Sequence, residues 1–523
     1  MNIQMNAKTG FVIGRIGGRM GGAVALAIAA ALQLAAVRPA SAQCEMEPLH
    51  KFFASDGAVD DLFGFSVAVD GDVAIVGAVS DDDPEPGNPG CNAGAAYIFR
   101  FDGQGWVQEA KLVASDAACG DQYGVSVGIS GDVAVVGAHW DLHAPGDGSS
   151  DGEGAAYVYR FDGAQWIEDA KLTAFDAAPG DAYGNAVAIE GDVIVIGADH
   201  RYSNQLGRAY VYRHDGADWI DDGVLTPWEG AGDGCFGYQG LDINGDVIIV
   251  GDWNQTDAWA RGRAYIFRHD GAAWQEEAVL TASDAEYNDR FGIDVSVAGD
   301  MVVVGAYFED EAGDNCGAAY LFEFDGGEWQ ELAKLLPSDG ATWDWFGSSV
   351  AINDEIALIG SWWDDDLGTS SGSAYVYQRD FGGPDAWGEA GKLVAPDGAG
   401  SDEFSHALWL DGDRALIGSI KAAGAGDNTG AVYEYRGFAD CNGNGVLDIC
   451  DIADGTSEDA NGNGIPDECE CPADFDGDGD VDTADLLFLL GAWGTGGGDV
   501  DFDGDTDTAD LLALLAAWGE CPE

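Results

Sequence analysis

Basic residues are scarce. The 523-residue chain has 22 Lys and Arg against 94 Asp and Glu, a formal net charge of −72. A surface of that sign repels nucleic acid and anionic lipid, which argues against both as partners. Long apolar runs are scarce too. One, Ala23 to Val37, follows Lys8, Arg15 and Arg19 and precedes Ala40-Ser41-Ala42. Basic residues, a short apolar stretch and a small-residue cleavage site together predict a secretory signal peptide over residues 1–42. Gln43 stands where lipidation of Cys44 would need a small residue, so no lipid anchor is expected. No later segment is long and apolar enough to cross a bilayer, and no direct membrane insertion is predicted. A nucleophile elbow, an HExxH zinc motif and a phosphate loop are all missing. Ten cysteines in an exported chain read as disulfides.

What is abundant is repetition. From about residue 50 to 438 one phrase recurs, first as "FGFSVAVDGDVAIVGA", then a variable loop, then "GAAYIFRFDGQGWVQEAKLVASD". Its leading glycine falls at Gly64, Gly124, Gly184, Gly237, Gly292 and Gly347, with Ser405 in a seventh, degenerate copy. Near-constant spacing of this size signals a solenoid, an array or a propeller. Within each copy, two apolar runs around an Asp-Gly turn predict a hairpin. "AAYIFRFDG" adds a third strand, and "WVQEAKLVAS" alternates like a half-exposed fourth. Four-stranded units repeated seven times predict an all-β fold, a seven-bladed β-propeller over residues 43–438. The seventh copy stops one strand short, while "PLHKFFAS" stands alone before the first copy. Residues 48–55 are therefore expected to complete the last blade and hide its edge.

The "FG…GA" phrase resembles the FG-GAP repeat of integrin α-chain propellers and many bacterial surface proteins. The resemblance implies a propeller; it says little about activity. Members often carry a calcium loop between the first two strands. Here a tight turn such as Asp70-Gly71-Asp72 takes that place, so no calcium is expected there.

Tryptophans that break the repeat are the candidate ligand-binding residues. Trp140, Trp253, Trp259, Trp362 and Trp363 fall between second and third strands, and Trp228, Trp343 and Trp345 fall in the loops leading into blades. All map to one face, beside Asp141, Asp252, Asp344 and Asp364 to Asp366. Aromatic rings flanked by carboxylates suit sugar stacking and hydroxyl recognition; the alternative is that they anchor loops. His139 and His143 flank Trp140 and Asp141. Asp pairs recur before the FG (Asp56/Asp61, Asp116/Asp121, Asp176/Asp181, Asp284/Asp289, Asp339/Asp344 and Asp397/Asp402), as loop-stabilising acceptors or as cation ligands.

From Gly437 onward acids recur without a single Lys or Arg. Calcium loops take oxygen ligands at alternating positions with Gly at the sixth. One loop offers Asp474, Asp476, Asp478, Asp480, Asp482 and Asp485; a second offers Asp499, Asp501, Asp503, Asp505, Asp507 and Asp510. Each runs into a leucine-rich helix. Two loop-helix units ending in Asp resemble a dockerin, and with Cys471-Pro472 and Gly519-Glu520-Cys521 they look like the dockerin-like anchors of planctomycete surface proteins. That implies Ca2+ as cofactor and a cohesin-like or cell-surface partner for residues 471–523. Thr483-Ala484 and Thr508-Ala509 stand where cohesin contacts are expected, and the usual basic helix residues are missing. Over 439–470, two loops (Asp440, Asn442, Asn444, Asp448 and Asp451; Asp459, Asn461, Asn463, Asp467 and Glu470) resemble thrombospondin type 3 repeats and imply a calcium-stiffened stalk.

Loop placement predicts a Cys91–Cys119 disulfide between adjacent blades. Cys44–Cys441 and Cys471–Cys521 are expected to lock the ring and the tail module, leaving Cys450–Cys469 and Cys235–Cys316. The sequence thus describes an exported, calcium-dependent surface or matrix protein whose propeller binds an extracellular glycan or protein. A polysaccharide-active enzyme carried by the anchor is the alternative.

Overall fold

The computed structural model describes residues 46–82, 91–141, 152–199, 206–227, 235–253, 261–379, 381, 386–426, 428–438, 446–457, 459, 464–466, 473, 480–481, 483–493, 500, 506, 508–516 and 519–520. The signal-peptide segment, Cys44, Cys441, Cys469, Cys471 and Cys521 lie outside these residues.

Seven antiparallel four-stranded sheets form the propeller. In the first blade the strands are Phe63–Asp70, Val73–Ala78, Ala95–Phe101 and Trp106–Leu112, running from the axis outward. The second strand is buried along nearly its whole length because sheets pack on both its faces. The fourth alternates, half-buried and exposed, because one side meets water. Each third–fourth pair in the first six blades shifts register once, as at Ile98/Phe99. Such a bulge adds twist to a sheet that must fan outward.

The two halves of the repeated phrase meet across blades. A Cβ on Gly77, the glycine of "VGA", would lie 2.0 Å from the carbonyl oxygen of Gly124, the glycine of the next blade's "YG". Gly124 itself has φ +88. Backbone touches backbone there, so neither position admits a side chain. The seventh copy is instructive: Ser405 takes the glycine's place at φ 70. Its hydroxyl donates to the Ser373 carbonyl (2.6 Å) and accepts from the Ser361 N–H (3.0 Å), which offsets the strained backbone.

His50–Phe52 pairs antiparallel with Ala431–Tyr435, setting His50 opposite Glu434 and Phe52 opposite Val432. The strand before the first copy is therefore the outermost strand of the seventh blade, as the sequence predicts. Phe52 packs on Phe99 (4.8 Å) and Trp106 (5.4 Å) of the first blade.

The innermost strands surround a central channel of about 550 Å³. At its tight-turn mouth, neighbouring blades are laced together. Gly71 N–H donates to Asp411 (2.9 Å), Gly131 to Asp70 (2.5 Å), Gly191 to Ser130 (3.0 Å) and Gly299 to Asn244 (2.9 Å), while Gly245 donates to Glu190. The turn acids that lack a calcium motif serve as acceptors in this belt.

Beyond the propeller, α1 (Asp448–Asp454) ends at Gly455 in the left-handed conformation. It is rooted on the seventh blade: Leu447 and Ile449 pack with Tyr435 and Phe438. Further on, α2 (Thr483–Ala492) and α3 (Thr508–Ala516) share a small core of Ala473, Val481, Leu489, Val500 and Leu514. Asp480-Val481 pairs with Gly519-Glu520, tying the start of this unit to its end.

Candidate functional site

The loops leading into blades 1 to 3 and 5 to 7 are built to one plan. Their second Asp caps a turn: Ala58 N–H donates to Asp61 (2.6 Å), and the same bond recurs at Asp121, Asp181, Asp289, Asp344 and Asp402. Burial pushes Asp61, Asp121, Asp289 and Asp344 up to about 6, against the pull of these amides. The first Asp receives a cation and a tyrosine. Lys111 lies 2.9 Å from both Asp56 and Asp81. Lys171 bridges Asp116 and Asp141, Lys392 bridges Asp339, Asp364 and Asp366, and Lys51 of the closing strand holds Asp397. Hydroxyls of Tyr157, Tyr320, Tyr375 and Tyr433 donate to the same first acids. In the fifth blade the oxygens of Asp284, Glu309 and Glu311 converge within 4.8 Å, as metal ligands would. Lys334 Nζ sits among them at 2.6, 2.9 and 2.7 Å. Of the two readings of the recurring Asp pairs, the loop-stabilising one accounts for the contacts seen, with a side-chain ammonium or, at Asp176, the Arg208 guanidinium as the cation.

This frame fixes the backbone and leaves two positions free. Immediately before the FG aromatic of six blades, Leu62, Gln122, Ala182, Arg290, Trp345 and Glu403 all have φ between 53 and 60. Two residues earlier, Asp60, Asn288, Trp343 and Ser401 have φ 68 to 75, and Gly120 and Gly180 take the same place. A left-handed residue other than glycine costs about 1–2 kcal/mol. The side chains at these positions share no chemistry, so the fold does not choose them.

Of these side chains, Arg290, Trp343 and Trp345 join a continuous aromatic belt that runs through blades 4 to 7. Trp345 stacks on Trp363 at 4.0 Å and 10° and meets Trp362 edge-on at 5.0 Å. Tyr307 and Phe308 reach Trp345 at 5.2 and 5.6 Å. Phe308 extends the row to Trp343 at 6.4 Å. Trp362 touches His406 (5.4 Å), which packs on Phe65 (4.6 Å). At the other end, Arg290 lies over Phe308 (4.1 Å), Trp253 (4.9 Å) and Tyr307 (5.2 Å) and donates to the Tyr307 hydroxyl. Phe65 and His406 also line the channel, so the belt borders the mouth opposite the laced turns. Burial pushes His406 down to about 4, and it stays neutral near pH 7.

The FG-GAP repeat pattern matches residues 49–99, 106–159, 166–212, 274–322, 329–377 and 387–435. The chain belongs to the FG-GAP repeat family. No curated protein matches it. The stretch between 212 and 274, outside the matches, still supplies the fourth strand of blade 3 and the three inner strands of blade 4. It supplies Trp253, where the belt of this FG-GAP propeller begins.

Of the predicted ligand-binding residues, Trp253, Trp343, Trp345, Trp362 and Trp363 come together here. Trp140 does not: it stands in blade 2 with the buried His139 at 5.2 Å. Trp228, Trp259 and His143 lie outside the described residues. Tyr307, Phe308, Arg290 and His406 were not anticipated. Aligning the copies on "VGA" puts Tyr307-Phe308 level with Trp362-Trp363, and aligning them on FG puts Arg290 level with Trp345; those registers are the signal.

One cysteine prediction is corrected. Cys91–Cys119 is present with a 4.5 Å Cα separation, but Cys235 and Cys316 are buried thiols and do not bridge. A loop between second and third strands faces the leading loop of the next blade. Cys316 accordingly lies by Gly340 of blade 6, whereas Cys235 packs with Trp253 and Tyr307. Cys450 is disulfide-bonded.

In the tail, Asp448 and Asp451 are buried on the first turn of α1, and Thr456 donates to Asp451 (2.8 Å). Asp459 accepts from Gly464 N–H (3.0 Å). Asp510 is fully buried and accepts from Val500 N–H (2.6 Å). Asp480 lies in the short strand and Asp485 in α2. The other proposed ligands, Asp440, Asn442, Asn444, Asn461, Asn463, Asp467, Glu470, Asp474, Asp476, Asp478, Asp482, Asp499, Asp501, Asp503, Asp505 and Asp507, lie outside the described residues.

Proposed function

We propose that this FG-GAP protein is exported and that its propeller binds an extracellular glycan on the aromatic belt. Trp343 carries the reading. It is 47% exposed and holds φ 74 where the equivalent loops use Gly, Asn, Asp or Ser. A strained backbone and a large indole left in water both act against stability, and strain of this kind collects at ligand sites. A flat ring beside Phe308 suits the apolar face of a sugar. The rest of the belt, braced by stacked neighbours, keeps that face rigid.

The role assigned to the tail is attachment in the presence of calcium. Its acid spacing supports this, as do the apolar side chains left exposed on α2 (Leu487, Phe488 and Leu490), just after it (Trp493) and on α3 (Leu512 and Leu515). A glycan array probed with and without calcium, using the whole chain and Trp343→Ala, tests the two roles together. Glycan binding that vanishes in Trp343→Ala supports the belt; binding untouched by that change rejects it.

A further inference from the structure

Positive charge in this protein is almost everywhere spoken for. Every described lysine is ion-paired, and arginines such as Arg100, Arg213, Arg268, Arg414 and Arg436 stand against carboxylates. Arg290 has no ion pair among the described residues, in a chain with 94 acids. Its neighbour Asp289 does not neutralise it, because that carboxylate is buried and turned to the Glu286 N–H at 2.5 Å. The guanidinium instead lies on aromatic rings and gives one hydrogen bond, to the Tyr307 hydroxyl. Its Nε–H is shielded from water and has no acceptor. A partly buried guanidinium so poorly satisfied is held in a high-energy state unless an acceptor arrives.

We propose that Arg290 reads a negative charge on the ligand, so that the belt's glycan is an acidic saccharide carrying a carboxylate or a sulfate. This rests on the belt being a saccharide site, and it names the class of saccharide. Three observations point the same way. The Trp253, Tyr307 and Phe308 rings already hold a guanidinium, which disfavours a cationic ligand at this end of the belt. Phe308 neighbours both Arg290 (4.1 Å) and Trp343 (6.4 Å), so a sugar stacked on the exposed indole has the guanidinium one ring away. Planar forked N–H groups match oxyanions better than an ammonium does. The acidic surface adds selectivity, since a polyanion is repelled except where an uncompensated charge receives it. At physiological salt that repulsion is screened beyond about 8 Å, so the local contact decides.

The test titrates the full chain by calorimetry with three oligosaccharides of equal length: an oligogalacturonate, a sulfated galactan fragment and a neutral galactan fragment. Acidic probes should bind roughly ten- to a hundredfold more tightly than the neutral one. The two acidic arms separate carboxylate from sulfate. Arg290→Gln should reduce affinity for the acidic probe to that for the neutral one, and Arg290→Lys should restore part of the difference. Should Arg290→Gln fail to fold, the wild-type comparison still decides. A neutral probe that binds as well as the acidic ones through Trp343 would overturn the role of Arg290 while leaving the belt in place. No binding of any probe, with Trp343→Ala inert, would overturn both.

Discussion

His50 Nδ1 lies 2.8 Å from Glu434 Oε2, across 384 residues of sequence. Glu434 is fully buried, and its carboxylate also accepts from Trp106 Nε1 (2.8 Å), Arg414 Nε (2.9 Å) and Arg436 Nε (2.9 Å). One acid therefore gathers the closing strand, the first blade and the seventh. Glu434→Ala should cost about 3–5 kcal/mol, because it leaves buried cations uncompensated. Thermal unfolding measures this; a shift no larger than that of an exposed Glu→Ala would reject the hub.

Lys334→Met should turn the fifth blade into a metal site. Three carboxylates would face one another without their ammonium, so the variant should unfold earlier than wild type in chelator. Calcium should return much of the lost transition temperature by binding only the folded state. A variant indifferent to calcium would mean that the three oxygens spread apart when the lysine is removed.

The raised acids predict an acidic stability optimum. Burial pushes Asp61, Asp121, Asp242, Asp289 and Asp344 up to about 6 and Asp294 to about 7. Between the ordinary carboxylate range and those values, the folded chain keeps protons that the unfolded chain has released, so stability falls as pH rises through about 4 to 7. Buried His406 acts in the opposite sense over part of that window, but as a single group. Burial also raises Asp56, Asp116, Asp284, Asp339 and Asp397, yet their lysine and tyrosine partners win and hold them below the usual range. Their contribution is lost as pH falls further. Melts of the propeller should peak near pH 4–5 rather than at pH 7.5.

Thiol mapping checks the cysteines. Non-reducing peptide digests should return Cys91–Cys119, while Cys235 and Cys316 should alkylate only after unfolding. Burial pushes the Cys316 thiol up to about 12, which leaves almost no thiolate. A Cys235–Cys316 peptide would contradict the register of the blades.

Chelation should unfold residues 440–523 and spare the propeller. A segment with so small a core depends on bound metal for its folding free energy. Circular dichroism of the isolated tail during calcium titration gives the comparison. A tail fully folded in chelator would refute the calcium role.

Much of this architecture is legible in the sequence because it rests on local rules. Asp-Gly turns, the FG and GA glycines and the lone "PLHKFFAS" strand each dictate backbone geometry, so blade count and closure follow from them. The outlying tryptophans announce themselves against the repeat. Arg290 does not, since nothing in a single copy distinguishes it from Gln122 or Leu62. Its meaning comes from contacts between blades and from carboxylates being occupied elsewhere. The Cys235–Cys316 prediction failed for a similar reason, because pairing by elimination ignores which loops the ring makes neighbours.

The closing strand also has a kinetic consequence. His50 must find Glu434 across nearly the whole propeller, and contacts so distant in sequence form slowly. During synthesis the strand that seals the ring is among the first made and the last to find its partner. Until the seventh blade exists, six finished blades expose an apolar sheet face at each end. Such faces, and the unpaired closing strand itself, can associate with another chain, so the hazard for this protein lies in the interval before closure, and a chaperone that shields residues 48–55 would act on that interval.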